Sequence, residues 1–219
     1  LAARARQLPL LTEALAPQNL KPGDEVFIRI FKHEKLVELW MKPQNKRKFV
    51  LAKSYPICNY SGNLGPKQKE GDFQSPEGFY VVTPASMNPN SSYHLSFNLG
   101  YPNRLEQNLG RTGSLLMVHG GCDSIGCYAL TDPLIEEVYT LVNEAMLKGQ
   151  ARVQVHAFPF RPTDENLASQ KSAVWYDFWQ NLKLGYDAFE QTSVPPHISV
   201  ADQAYRAKVQ GRSYSLFGS

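Results

Sequence analysis

Residue types capable of covalent or metal chemistry crowd into one short stretch. Between Leu115 and Asp132, the sequence LLMVHGGCDSIGCYALTD holds His119, Cys122 and Cys127, with Gly120, Gly121 and Gly126 among them. Three chemistries fit. As a zinc site, the H-x2-C-x4-C spacing supplies three of the four ligands that a closed site needs. The fourth would come from Cys58, His94 or His156, and no CxxC pair reinforces it. As a disulfide, Cys122 joins Cys127, or one of them reaches Cys58; a Cys58–Cys122 bridge leaves Cys127 free. As a nucleophilic site, a cysteine thiolate needs a histidine within hydrogen-bond reach. It also needs backbone N–H groups aimed at the developing oxyanion. Gly126 allows a tight turn that exposes such groups beside Cys127. His119 closes an apolar run, and the Gly120 carbonyl is free to approach its ring and set the tautomer. Eight residues separate His119 from Cys127, a distance one strand end and one returning loop can close.

The elements that must position these residues are legible in the pattern. VFIRIF and KLVELWM read as strands, separated from the return strand RKFVLAKSYPIC by the turn Lys42 to Lys46. Asn59 to Val82 holds four glycines and two prolines and reads as a structured loop ending in the strand GFYVV. NPNSS, Asn88 to Ser92, reads as a turn, YHLSFNLG as a strand and LEQNLGRTG as irregular. SLLMVHG is a short apolar strand leading into the motif. After it, Leu134, Val138, Leu141, Val142 and Ala145 recur at helical spacing, with Asp132 as cap and Pro133 at the first position. ARVQVHAFPF is another strand. Thr163 or Asp164 caps a short helix. The aromatic stripe Trp175, Phe178, Trp179, Tyr186 and Phe189 marks a helix packed on the sheet. VPPHISVADQAYRAKV returns to extended structure. Residues 1–23 read as an N-terminal extension, a packing arm with a short amphipathic helix on Leu8, Leu10, Leu11 and Leu15, limited by Pro9 and Pro17. Residues 24–219 read as one catalytic domain with a C-terminal helical and extended region. The fold class is α+β, rich in β-structure, with helices toward the C-terminus.

Composition narrows the function. The chain has 219 residues and a net charge of +3, with lysines and arginines scattered rather than clustered, which argues against a nucleic-acid partner. No run approaches the roughly 20 apolar residues of a transmembrane helix. The chain begins at Leu1, so an export signal would lie outside the sequence.

His119-Gly120 followed by Ser124-Ile125-Gly126-Cys127 resembles the signature of the L,D-transpeptidase (YkuD-like) catalytic domain, a histidine-glycine and then serine-x-glycine-cysteine. GDFQSPEGFY resembles the glycine-rich segment ahead of that site. The similarity runs from about Val26 to Phe158. LGPKQ, SIGCYALTD and DFWQNLKLGYDAFEQT extend it to about residue 200, within a proteobacterial branch of the family. The resemblance implies a β-rich L,D-transpeptidase fold and a periplasmic cysteine enzyme acting on peptidoglycan stem peptides, without cofactor or metal. It assigns Cys127 as nucleophile on the L-centre carbonyl of meso-diaminopimelate and His119 as general base and then acid. The Gly120 carbonyl would orient the histidine, with the N–H groups of Gly126 and Cys127 as the oxyanion hole. Ile125 stands where most of the family has histidine, the gap between the motif halves is short, and Tyr128-Ala129 replaces an arginine or asparagine. The branch is associated with hydrolysis, and release of a Braun-type outer-membrane lipoprotein is the favoured outcome. 3–3 crosslinking, lipoprotein attachment and stem trimming are the alternatives. Substrate contacts are expected from Arg111, suited to a stem carboxylate, and from His94, Tyr80, Ser124 and Tyr128. Structural roles compete for several of these: a solvent-facing strand for His94, a loop in water for Arg111, the core for Tyr80. Lys67 and Lys69 could meet anionic glycan stems, though a solvated loop is the favoured reading. His33, His156 and His197 carry no functional assignment. Export with three cysteines favours a Cys58–Cys122 disulfide.

Overall fold

The computed structural model describes residues 2–209 and 212–214. Within them, thirteen strands form three sheets, accompanied by five α-helices. The first sheet, in the order β3-β2-β1-β10-β5, contains β1 (Glu25–Phe31), β2 (Leu36–Lys42), β3 (Val50–Pro56), β5 (Gly78–Val82) and β10 (Val153–Phe158). The second, β4-β9-β8-β7-β6, contains β4 (Asn59–Tyr60), β6 (Met87–Ser91), β7 (His94–Asn98), β8 (Met117–His119) and β9 (Tyr128–Ala129). The third is the C-terminal meander β11 (His197–Ala201), β12 (Ala204–Val209) and β13 (Arg212–Tyr214). Pairing is antiparallel except for β1 with β10 and β8 with β9. The helices are α1 (Ala2–Leu15), α2 (Arg104–Asn108), α3 (Asp132–Leu147), α4 (Asp164–Ala168) and α5 (Tyr176–Thr192).

Strand alternation splits β1 cleanly. Val26, Ile28 and Ile30 face the main core, which also holds Leu95 and Phe97 of β7, Val118 of β8, Tyr128 of β9 and the apolar stripe of α3. Phe27, Arg29 and Phe31 face the opposite side, where α5 lays down Trp179, Leu182, Tyr186 and Phe189. The aromatic stripe therefore does pack on the sheet. Arg29 is buried within it, its guanidinium about 5 Å from the rings of Phe31, Trp40, Tyr186 and Phe189. Glu38 at 3.1 Å and Glu190 at 2.6 Å neutralise it.

A second buried pair governs the long loop. Lys32 and Glu77 are both fully buried and meet at 3.0 Å. Lys32 Nζ donates in addition to the Asn63 and Gly65 carbonyls, so each of its three protons has an acceptor. Glu77 accepts from the Gly65 N–H at 2.7 Å and from the Trp179 indole at 2.9 Å. Burial pushes the Lys32 pKa down, and Glu77 pulls it back up. The glycine-rich segment is thus fastened to both the sheet and α5.

Several sequence expectations change. α1 runs through Pro9, and its buried positions are Ala3, Leu11 and Leu15; Leu8 is half-buried and Leu10 exposed. The inward row is spaced by four, Ala3-Gln7-Leu11-Leu15, and Gln7 donates to Glu136 of α3. Arg4 pairs with Glu144 and Arg6 with Glu136, so charge as well as leucine docks this helix; the Arg6 guanidinium holds the Glu136 carboxyl down to about 2. The turn expected at Asn88 to Ser92 lies mostly in β6, and the irregular LEQNL forms α2, capped by Asn103 accepting from the Glu106 N–H. The return strand begins at Val50 rather than Arg47. Thr131 precedes α3 as its N-cap, with Asp132 inside the first turn, and Thr163 caps α4.

Glu77→Gln strands the Lys32 ammonium without its counter-charge. It should lower unfolding free energy by about 3–5 kcal/mol in a denaturant titration.

Candidate active site

The parallel register sets the geometry. Val118 lies opposite Tyr128 and His119 opposite Ala129. Val118 and Tyr128 point into the core. Alternation therefore turns His119 to the other face, and one residue before β9 it turns Cys127 to that same face. The sulfur confirms this placement. The Met117 N–H donates to Cys127 Sγ at 3.4 Å, and the thiol donates to the Leu115 carbonyl at 3.6 Å. The imidazole and the thiol thus share a sheet face on neighbouring chain segments, two residues out of register.

His119 is held on several sides. It is 3% exposed, and the Tyr93 ring lies over it with centroids 4.7 Å apart. Its Nδ1 lies 2.5 Å from the Gly120 carbonyl, which can only accept, so Nδ1 carries the proton and Nε2 is left as the basic nitrogen. Gly120 is required by crowding: a Cβ would come within 2.6 Å of Asp132 Oδ1 and 2.9 Å of the Tyr93 carbonyl. Gly126 is required by backbone conformation, with φ +137° in the left-handed region.

The loop between them is clamped. Cys58 and Cys122 form a disulfide with Cα atoms 5.3 Å apart. This takes Cys122 out of the zinc set and leaves Cys127 as the free cysteine. Closing a 64-residue separation removes about 4 kcal/mol of unfolded-chain entropy. Cys58, next to β4, also donates its N–H to the Ala129 carbonyl at 2.8 Å. At the nucleophile end, the Cys127 carbonyl accepts from Ser124 Oγ at 2.8 Å and Ser75 Oγ at 2.9 Å. The Gly126 N–H donates to Ser124 Oγ at 3.3 Å.

Burial keeps both groups neutral. It pushes the Cys127 thiol up, with the Met117 N–H and the nearby Lys67 ammonium pulling the other way. It pushes the His119 imidazole down, against the Gly120 carbonyl and Asp123. The resting state is therefore a neutral thiol and a neutral imidazole on one sheet face, the thiol donating to the Leu115 carbonyl. Such a pair can move a proton from sulfur to nitrogen when an electrophile arrives.

The expected substrate contacts fare unevenly. Tyr80 is fully buried and donates to Glu106 at 2.6 Å; Tyr128 is fully buried and donates to the Pro76 carbonyl at 2.7 Å. Both hydroxyls are already donated inside the core, so neither is free to donate to a substrate. His94 Nε2 meets Glu136 at 2.8 Å, in the cluster that docks α1, instead of lining the cleft. Ser124 holds the loop through the Cys127 carbonyl. Arg111 is half-buried over the Phe178 ring at 5.1 Å, and its Nη1 is buried without a partner among the described residues. Lys67 is buried and paired with Asp72 at 2.5 Å, not solvated. Ser75, Tyr93 and Met117 escaped sequence reading. Ser75 lay in GDFQSPEGFY, Met117 in the opening stretch itself and Tyr93 in the strand YHLSFNLG, but nothing in those segments singled these residues out.

The comparisons decide the family. The model for the L,D-transpeptidase catalytic domain (YkuD) matches residues 25–155. The chain belongs to the L,D-transpeptidase family. It is 47% identical over 183 residues to the proteins named "Putative L,D-transpeptidase YafK" of Escherichia coli K12 and O157:H7, covering 84% of this chain and 74% of theirs. Among solved structures, the helical cell shape determining protein Pgp2 (K307A mutant) of Campylobacter jejuni matches with TM-score 0.52 and 18% identity, over 94% of this chain and 87% of that one. That likeness concerns the fold. Domain membership makes peptidoglycan the substrate class.

Two outcomes check the site. Cys127 alkylation by iodoacetamide should keep rising with pH to a midpoint above the ordinary thiol value of about 8.5. A plateau at neutral pH would instead mean a preformed thiolate. Gly120→Ala should abolish activity, because its Cβ displaces the carbonyl that fixes the His119 tautomer; unimpaired turnover would show that this carbonyl does not matter.

Proposed function

We propose that this L,D-transpeptidase-family protein is a periplasmic cysteine hydrolase of peptidoglycan. Cys127 Sγ attacks the L-centre carbonyl of meso-diaminopimelate, and its proton passes to His119 Nε2. The tetrahedral oxyanion faces the N–H groups of Gly126 and Cys127, the former released from its long contact with Ser124. His119 returns the proton to the departing amine, the C–N bond breaks, and a thioester remains. Water then attacks the thioester, His119 takes the water proton, and the thiol leaves reprotonated. The observation that carries this reading is the Gly120 carbonyl at 2.5 Å from His119 Nδ1, the role of the orienting third member of a triad. Arg111, with a buried nitrogen that has no partner among the described residues, is the substrate contact we retain, toward a stem carboxylate.

The two residues after the nucleophile favour hydrolysis over transfer. Tyr128 and Ala129 are both fully buried and offer an amine acceptor no polar group where much of the family carries arginine or asparagine. The amine we propose is released is the lysine of a Braun-type outer-membrane lipoprotein joined to the wall, the outcome favoured by the sequence resemblance. Crosslinking or stem trimming is the alternative.

Mass spectrometry of lipoprotein-linked muropeptides should show free lipoprotein and monomeric stems, with no such products from Cys127→Ala, a loss of about 10³-fold or more. Dimeric products would make the protein a transferase, and shortened tetrapeptides a carboxypeptidase. The base works only when neutral, and burial lowers its pKa. The acid limb of kcat/KM should therefore lie below the ordinary histidine value of about 6.5.

A further inference from the structure

The C-terminal meander lies outside the matched catalytic domain, and it makes a cavity that the domain alone would lack. Between β5 and β10 of the first sheet, the segment entering α2, and β11 with β12, a cavity of about 550 Å³ opens, within the usual range for ligand pockets. Phe79, Ile198, Val200 and Tyr205 give it an apolar and aromatic floor. Arg104, Arg152 and His197 line it from three separate segments. All three are exposed. None forms an ion pair with a described residue, and no described aspartate or glutamate lines the cavity. The polar groups behind the floor are already satisfied. Tyr80 donates to Glu106, and the Tyr205 hydroxyl accepts from Asn103 Nδ2 at 2.7 Å. The two guanidinium groups therefore line the cavity with no counter-charge among the described residues. None of its lining residues belongs to the His119–Cys127 site.

We propose that this cavity is a second substrate-binding site, taking a carboxylate-bearing stem peptide of the wall polymer while Cys127 works on another. The choice of polymer rests on the function proposed above. Two guanidinium forks match carboxylates bidentately, and the aromatic floor accepts the aliphatic part of a stem. Phosphate offers the same oxyanion chemistry but nothing for that floor to bind. Attachment at two points raises the effective concentration of stems at the nucleophile without any change in its chemistry.

The test uses Cys127→Ala protein, so that binding is read without turnover. Co-sedimentation with purified sacculi is compared for an added Arg104→Glu/Arg152→Glu pair and an added Lys46→Glu/Lys171→Glu pair, exposed residues outside the cavity with the same charge change. Affinity should fall about tenfold or more in the cavity variant. It should fall less than about twofold in the control, whose scattered charges are screened. Soluble tetrapeptide stems should compete, and inorganic phosphate at equal concentration should not. In the Cys127 enzyme, the cavity variant should keep the kcat of the parent on small soluble substrates. Equal losses in both variants, no loss in either, or competition by phosphate equal to that of stems would overturn the proposal. Charge-sensitive sacculus binding by an enzyme that releases nothing would sink the proposed chemistry and leave this site standing. Full activity with binding indifferent to charge reversal would do the opposite.

Discussion

The buried pair of Lys32 and Glu77 is the constraint on which the site depends. Removing two charges from water is costly, and the attraction between them offsets that cost only when every remaining donor and acceptor is filled. Here each ammonium proton has an acceptor, and the carboxylate binds the Gly65 N–H and the Trp179 indole. The Lys32 partners are spread along the loop, at Asn63, Gly65 and Glu77, so a segment short of apolar side chains is held by polar groups instead. Its last residues carry the consequence to the nucleophile. Ser75 reaches the Cys127 carbonyl and Pro76 receives the Tyr128 hydroxyl, immediately before the pinning carboxylate at Glu77.

The electrostatics of the pair follow from where the sheet puts them. Ion-paired cysteine–histidine centres need a polar surround that favours both charges. Burial here disfavours each charge, raising the thiol pKa and lowering that of the imidazole. The proton therefore stays on sulfur until substrate arrives, and the transfer belongs to the reaction itself. The Lys67 ammonium, neutralised by Asp72, only moderates this. The disulfide and the Ser124 and Ser75 hydrogen bonds fasten the intervening loop, so the two neutral groups stay on one sheet face without an attraction between them.

Much of the architecture was legible because its physics is local. Apolar periodicity marked α3 and the strand ending at His119, and aromatic spacing marked α5, because each must bury one face. Where local and distant interactions compete, the reading failed. Asn88 to Ser92 looks like a turn, yet it pairs with β7 across a register shift. Asn103 and Glu106 cap each other into α2 within a stretch whose composition suggests a loop. α1 passes through Pro9, and its attachment rests on Arg4, Arg6 and Gln7 as well as on its leucines.

The sequence by itself determined the family, the α+β class and the motif that places a histidine at a strand end eight residues before a cysteine. These are properties of residue order, and spacing encodes them directly. Only the tertiary structure decided which hydroxyls and charges were free to act. Tyr80, Tyr128 and His94 are chemically able to contact substrate, but strand alternation and distant partners at Glu106, Pro76 and Glu136 consume them. Ser75 and Lys67 lie in segments that carry the family resemblance and Tyr93 in a strand, but no motif gives any of the three a role. They reach His119 or Cys127 because chain segments far apart in sequence are packed against one another, and no spacing rule records that packing.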